Sequence, residues 1–285
     1  VFVKRYTGSS WTAVGSTEGV SYYDADAGQT FSVFGSHPHL TGDGATLAMV
    51  YRTDSLGLVG SYSYPGSGET WDRADYEYWT DPDGSGDMDD AIASAQISMD
   101  SDTAGRPVVA LETGPLNSPE IELFRYESGT WSTLGSTYVP GAPATMLYYF
   151  ELVLVGDTPY LAIDTYDSSG NQAVCDVIRW NGSSWENLGL TSRLTDLERI
   201  LDLAIVKNED SSGIYAAVTY RDTANAFHLE LWEHAASAWN QVGSTITPGY
   251  GLGEVGVALG SESRPVVVYK RGDDGTLHAK GYRPQ

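Results

Sequence analysis

Apolar and polar residues alternate with a period of two along most of this chain, in short runs broken by Gly, Ser, Asn and Asp. That alternation predicts half-buried β-strands joined by tight turns. Four segments share one layout: VFVKRYTGSSWTAVGS (1–16), IELFRYESGTWSTLGS (121–136), CDVIRWNGSSWENLGL (175–190) and HLELWEHAASAWNQVGS (228–244). In each, an alternating strand ends in an aromatic residue, a small-residue turn follows, and Trp-x-x-(Val/Leu)-Gly closes the unit. LVGSYSYPGSGETWDR (58–73) is a degenerate fifth copy. Each copy predicts a β-hairpin.

Between the hairpins lie continuous apolar runs: TLAMVYR (46–52), RPVVALE (106–112), TPYLAID (158–164), GIYAAVTY (213–220) and RPVVVYK (264–270). Each follows another apolar stretch and a Gly/Asp turn, so two buried strands precede each more exposed hairpin. Helical periodicity is weak. Residues 88–99 and 193–205 come nearest to it, and the repeat register assigns both largely to inner strands. Four strands repeated radially make a propeller blade. The fold expected is all-β: a five-bladed β-propeller of four-stranded antiparallel blades, occupying residues 1–285 as one domain. The strand LHAKGY (277–282) corresponds to VFVKRY (1–6), which suggests a ring closed by an N-terminal strand.

The repeated tryptophans are Trp11, Trp71, Trp131, Trp185 and Trp239, spaced 60, 60, 54 and 54 residues apart. A large ring at one place per unit is expected to pack between neighbouring units.

Composition narrows the partners. The net charge of −22, from 38 acidic against 16 basic residues, repels phosphate backbones and anionic lipid, so no nucleic-acid partner is expected. Only Lys4, Lys207, Lys270 and Lys280 are lysines. An acidic surface of this kind serves solubility, and it also suits a salty or extracellular medium or cation collection. Cys175 stands alone, which excludes an intrachain disulfide or a cysteine-based zinc cluster. With no run of 18 apolar residues, no membrane insertion is expected. The chain begins at Val1 and reads as a mature or trimmed piece of a secreted or cell-surface protein, expected to be a monomer.

The hairpin pattern strand–(Tyr/Trp)-x-Gly-Ser-Ser-Trp-x-x-(Val/Leu)-Gly resembles the repeats of bacterial secreted β-propeller proteins. More loosely it is similar to propeller lectins, including the five-bladed tachylectin type. The resemblance covers essentially the whole chain and implies the fold, with sugar sites between blades. Here the inter-hairpin loops differ from blade to blade, against five equivalent sites. DADAGQTF (24–31) is similar to the Asp-box turn of sialidase-like propellers through Asp26, Gly28, Thr30 and Phe31, with Asp24 where that motif has Ser. In those families the box is a turn element.

Candidate chemistry gathers on the links from an outer strand to the next inner one. Two are long, roughly residues 17–36 and 72–92. In the second, Asp81, Asp83, Ser85, Asp87 and Asp89 alternate around Gly84 and Gly86, a pattern able to present several oxygens to Ca²⁺. Residue 92 is Ile where a helix-hand loop would carry its closing Glu, so the readings are a calcium site or a solvated acidic loop. Tyr22, Tyr23, Tyr76, Tyr78 and Trp79 supply aromatic faces for sugar C–H surfaces, or pack these loops onto the blades. Trp79 leads as a ligand contact because it falls outside the repeated Trp position.

Two smaller motifs carry less. His37 and His39 alternate with no third ligand in view, so structural hydrogen bonding is the better reading. Arg271-Gly272-Asp273 matches an integrin-recognition tripeptide in a turn where such pairs arise readily.

The leading functional expectation is a carbohydrate-binding module, lectin-like and calcium-assisted through the acidic loop, with a glycan, polysaccharide or surface protein as partner. An enzyme of the glycoside hydrolase class is the alternative, with Glu151 and Asp202 near the ring axis as paired acid and base and Glu254 near the entrance in the fifth blade. There, Glu151 and Asp202 align at matching depths in successive inner strands. Inward polar residues lining a wet channel account for the same carboxylates. A protein–protein scaffold ring is the third reading.

Overall fold

In the computed structural model the chain divides into two compact units, Val1–Thr137 and Tyr138–Gln285. The described residues run from 97 to 282, apart from 114–117, 129, 142–143, 145, 210–211, 249–250 and 261–262; before residue 97 they comprise Ser10 and the backbone of eight strands.

The first unit holds two hairpins and two larger sheets. β1 (Lys4–Tyr6) pairs with β2 (Trp11–Ala13), and β3 (Ser21–Asp24) with β4 (Gln29–Ser32). β5 (Ser36–Gly42), β6 (Leu47–Arg52), β7 (Val59–Tyr64) and β8 (Asp72–Glu77) form a four-stranded antiparallel sheet in chain order. So do β9 (Ile97–Ser101), β10 (Pro107–Thr113), β11 (Glu120–Glu127) and β12 (Thr130–Thr133).

The second unit repeats that plan. β13 (Met146–Val155), β14 (Thr158–Tyr166), β15 (Gln172–Trp180) and β16 (Trp185–Asn187) make one sheet. β17 (Leu197–Asn208), β18 (Gly213–Asp222), β19 (Phe227–Ala235) and β20 (Ala238–Gln241) make the next. β21 (Leu252–Leu259), β22 (Pro265–Arg271) and β23 (Leu277–Gly281) form a three-stranded sheet. Among the described residues the helical content is a short 3₁₀ turn, Thr191–Arg193, and the single residue Ser263.

These strands match the sequence pattern closely: each predicted apolar run is the second strand of a sheet, and the predicted hairpins are β1–β2, β7–β8, β11–β12, β15–β16 and β19–β20. Two expectations need correction. The stretch 17–36 is not a plain link, since β3 and β4 form a hairpin inside it. Residues 72–77 are not loop but the outer strand β8, with Tyr76 opposite Gly60. The stretch DADAGQTF lies across the β3–β4 hairpin, and His37 and His39 fall in β5 at a register irregularity.

Successive sheets of the second unit pack face to face, and β18 shows why. Every residue from Gly213 to Tyr220 is buried. Ile214, Ala216, Val218 and Tyr220 face a core shared with Val153, Ala162 and Val177, whereas Tyr215 and Ala217 face Leu231, Val267 and Tyr269. Side chains of a strand alternate between faces, so a strand between two neighbours reads as a continuous apolar run. Each Val or Ile buried this way contributes about 1.5–3 kcal/mol.

The hairpin aromatics pair directly across the outer turn. Tyr126 lies opposite Trp131, Trp180 opposite Trp185 and His234 opposite Trp239, with ring centroids 5.2, 5.6 and 4.9 Å apart. Trp239 is 7% exposed, and its Nε1 donates to Leu188 O at the exit of the preceding hairpin. This tryptophan joins neighbouring sheets, as a structural role requires.

Candidate functional site

The link from β16 to β17 is short, yet it is where the second unit opens. A cavity of about 260 Å³ lies between the outer part of the β13–β16 sheet and the start of β17. Gln172, Cys175, Asp176, Asn187, Thr191 and Ile200 line it.

Each polar wall is held in place. Asp176, on β15, is 4% exposed. Its Oδ1 accepts from Val177 N and Leu190 N, and its Oδ2 accepts from Thr191 Oγ1 at 2.8 Å. The carboxylate therefore fastens the chain as it leaves the outer hairpin and enters the 3₁₀ turn. Gln172 bridges to the next sheet: Nε2 donates to Ile200 O and Asp164 Oδ1, and Oε1 accepts from Ile200 N. Asn187 Oδ1 accepts from Gly189 N, supporting a glycine with φ +70°. That positive φ favours Gly in the Trp-x-x-(Val/Leu)-Gly motif.

Behind Gln172 stands Asp164, whose carboxyl burial pushes up to about 6, against the opposing pull of the Gln172 amide and the Arg199 guanidinium. Burial likewise holds the Cys175 thiol well above its ordinary range, so the neutral thiol serves as a small apolar wall. At the same end of these sheets, Tyr148 is 61% exposed and meets Tyr166 edge-on at 5.3 Å. Arg199 Nη2 donates to Tyr166 Oη at 2.8 Å.

The carboxylates of the enzyme alternative make contacts between sheets. Glu151 Oε2 accepts from Ile205 N of β17 at 2.8 Å. Asp202 repeats this one sheet later, Oδ2 accepting from Val255 N of β21 at 2.6 Å while Oδ1 accepts from Leu203 N. Both tie an innermost strand to the backbone of the next. Their depths also differ, which corrects the matching alignment. Glu151 pairs with Ala162 and Asp202 with Thr219; by register the residue of β14 equivalent to Thr219 is Asp164, which pairs with Tyr149. Asp202 thus sits where β13 carries Tyr149, two residues away. Burial, with Glu151 and Asp202 adding to it, holds the Tyr149 hydroxyl above the ordinary tyrosine range. Burial also raises the Asp202 carboxyl. Glu254 is solvent-exposed and 3.3 Å from Lys270 Nζ.

Tyr78, Trp79, Asp81, Asp83, Ser85, Asp87 and Asp89 lie outside the described residues. Tyr22 and Tyr23 are in β3, opposite Phe31 and Thr30, and Tyr76 is in β8; their backbone register alone is described. Among the described residues no group of three or more His, Cys, Asp or Glu is arranged to hold a metal ion. In the RGD tripeptide, Arg271 closes a two-pronged pair on Asp273 at 3.0 and 2.6 Å, so the two charges engage each other.

The lining belongs to a short link rather than to the two longest ones, where candidate chemistry was expected from the sequence. A signal was present: Glu122, Asp176 and Glu230 recur every 54 residues, as do Thr137, Thr191 and Thr245. Each acid binds its threonine, at 3.1, 2.8 and 2.8 Å.

No family model and no curated protein matches the chain. Among solved structures it is similar to a polysaccharide lyase of family PL25, an ulvan lyase (13% identity, 97% of this chain and 68% of that one, TM-score 0.62). It is also similar to the AofleA protein of Arthrobotrys oligospora (11%, 96% and 74%, TM-score 0.53). A third match is the α-L-arabinanase of Penicillium chrysogenum, solved with arabinobiose (13%, 85% and 77%, TM-score 0.51). The neighbours are of propeller type, and at these identities the likeness shows the fold alone: all-β, built of four-stranded antiparallel sheets.

Proposed function

We propose that this chain is a secreted or cell-surface carbohydrate-binding module of the propeller type, taking a sugar in the cavity between the β13–β16 and β17–β20 sheets. The reading includes five blades in one ring, an N-terminal strand completing the last of them.

The observation that carries it is the cavity itself. Hydrogen-bonding side chains (Gln172, Asp176, Asn187, Thr191) and apolar ones (Val174, Leu197, Ile200) line one space of about 260 Å³. Sugars need both surfaces, hydroxyls meeting fixed polar groups and C–H faces meeting apolar ones. The walls are held by bonds to neighbouring backbone, so little order must be gained on binding. The exposed Tyr148 ring at the same end offers a stacking surface for a second residue of a chain. That solved propeller-type neighbours include a polysaccharide lyase and an arabinanase is consistent with this reading.

Binding is given precedence over hydrolysis because Glu151 and Asp202 each tie a strand to the backbone of the next sheet, a structural task that accounts for both carboxylates. Asp81, Asp83, Ser85, Asp87 and Asp89 enter the proposal as a calcium site, with Tyr76, Tyr78 and Trp79 preceding them in sequence. A glycan and polysaccharide array, run with calcium and then with a chelator, tests both parts. Binding that survives the chelator and is abolished in Leu197→Trp supports the cavity. Binding that needs calcium and is lost in Trp79→Ala places the sugar on the loop. Silence in both runs removes the lectin reading.

A further inference from the structure

We infer that Tyr148 and Arg199 form a second subsite beside the cavity, one that takes a uronate residue of an acidic polysaccharide. The tyrosine ring stacks on the sugar, and the guanidinium pairs with its carboxylate. The inference rests on the binding reading above and names the chemical class of the extended ligand.

Two irregularities of strand pairing build the subsite. In β13, Leu147 pairs with Thr165 and Tyr149 with Asp164, so Tyr148 is the extra residue of a bulge. A bulge re-aims a side chain out of the regular ladder, and Tyr148 is exposed where Leu147 is buried. In β17, Leu197 pairs with Asp222 and Arg199 with Arg221, which makes Glu198 the extra residue. Its carboxylate goes to Arg221, with Oε2 2.9 Å from Nε. Arg199 is left without that partner, and among the described residues it forms no ion pair.

Tyr166 brings the two side chains together. The Tyr148 ring centre is 5.3 Å from that of Tyr166, and Arg199 Cζ is 5.6 Å from the same centre. A saccharide stacked on Tyr148 therefore brings its own carboxylate, or that of the next residue, within reach of Arg199. Tyr166 pairs across the sheet with Gln172, and Ile200 follows Arg199, so the subsite adjoins two lining residues of the cavity.

The free donors select an acid. A guanidinium carries five N–H donors in a planar fork. Among the described residues Arg199 uses one of them, Nη2 donating to Tyr166 Oη, and the side chain is otherwise exposed. Such a fork meets a carboxylate through two parallel charge-assisted bonds. The bond to Tyr166 orients it before the ligand arrives, so less freedom is lost on binding. The field of Arg199 reaches Asp164, yet that carboxylate accepts from Gln172 Nε2 rather than from the guanidinium.

The net charge of −22 opposes any acid at long range. At about 0.15 M salt that repulsion is largely screened beyond about 8 Å, and the paired contact decides. An aromatic face beside the cation favours a sugar acid over a simple carboxylate, because the ring also covers the C–H surface of the pyranose.

The test is isothermal titration at neutral pH and physiological salt with galacturonate, glucuronate and mannuronate trisaccharides, each as the free acid and as its methyl ester. The ester keeps the sugar and removes the charge. The account predicts that the acid of at least one pair binds about tenfold or more tightly than its ester, and that Arg199→Gln brings this ratio close to one. Arg199→Lys, which keeps the charge and loses the fork, falls between. Lys270→Gln makes the same change of charge on another sheet and keeps the wild-type ratio, and near-UV circular dichroism checks that each variant is folded. Acid and ester binding equally, a ratio unchanged in Arg199→Gln, or no binding of any pair would overturn the uronate subsite. Neutral saccharides that still bind on the array would then leave the cavity reading standing, and silence there as well would overturn both.

Discussion

Asp176 Oδ2 accepts the hydroxyl of Thr191 at 2.8 Å, and Glu230 accepts that of Thr245 at the same distance 54 residues later. The acid sits on the third strand of a sheet, and the threonine lies just beyond the Trp-x-x-(Val/Leu)-Gly turn. The contact secures the point where the chain leaves one sheet for the next. In the first unit Glu122 and Thr137 make it too, at 3.1 Å.

Removing such a clasp exposes its value. Glu230→Ala leaves Tyr220 Oη, Trp232 Nε1 and Thr245 Oγ1 without their acceptor. A destabilisation of about 2–3 kcal/mol is expected, read from urea unfolding midpoints. Thr245→Val, which deletes one donor, is expected to cost about 1 kcal/mol. Equal stability of Glu230→Ala and wild type would show that the clasp is idle.

Glu151 and Asp202 are expected to behave as ties. Glu151→Ala forfeits the acceptor for Ile205 N and should lower stability by about 2 kcal/mol, whereas Glu151→Gln retains an oxygen and should lose less. Sugar binding should persist in Glu151→Gln and Asp202→Asn. A hydrolytic activity in the wild-type protein that vanishes in either conservative variant would restore the enzyme reading.

Asp164 carries a pH signature. Its carboxyl, ordinarily at 3.8, is raised to about 6 in the folded chain, chiefly by burial. The folded state then holds this proton more tightly than the unfolded one. Its contribution to stability is present below about pH 4 and is lost as pH rises through about 6. Asp164→Asn, a permanently neutral isostere that still accepts from Gln172, should match wild type near pH 4 and unfold at a higher temperature near pH 7. Parallel Tm curves for the two proteins across pH 4–8 would refute the assignment.

Trp239 tests how far one sheet depends on the next. Trp239→Phe removes the donor to Leu188 O and part of the buried ring, with an expected cost of about 1–3 kcal/mol. Hydrogen exchange should show the loss of protection reaching the link 188–196 as well as β19 and β20. Protection changes confined to β19 and β20 would mean that the tryptophan does not couple the sheets.

Much of the fold was legible in the sequence because its determinants are local. Period-two alternation and Gly-Ser turns mark the hairpins, and runs such as GIYAAVTY mark strands buried on both faces. What failed to show has a physical reason in each case. The strand DRADYE (β8) is polar enough to read as loop, as the edge strand of a sheet can be. Glu151 and Asp202 read as axial acids in sequence, because bonds to backbone N–H groups 54 and 53 residues away leave no local trace. The cavity is lined by residues of β15, the end of β16, the turn after it and β17, which come together only once the sheets pack.

The central claim is that a sugar sits between the β13–β16 and β17–β20 sheets, and backbone amide chemical-shift mapping with the tightest-binding saccharide tests it most directly. The account predicts saturable shifts at Gln172, Cys175, Asp176, Asn187 and Thr191, with Phe227 to Glu230 unmoved. Shifts centred instead on residues 72–92, or on β13 and β17 around Glu151 and Asp202, would contradict it.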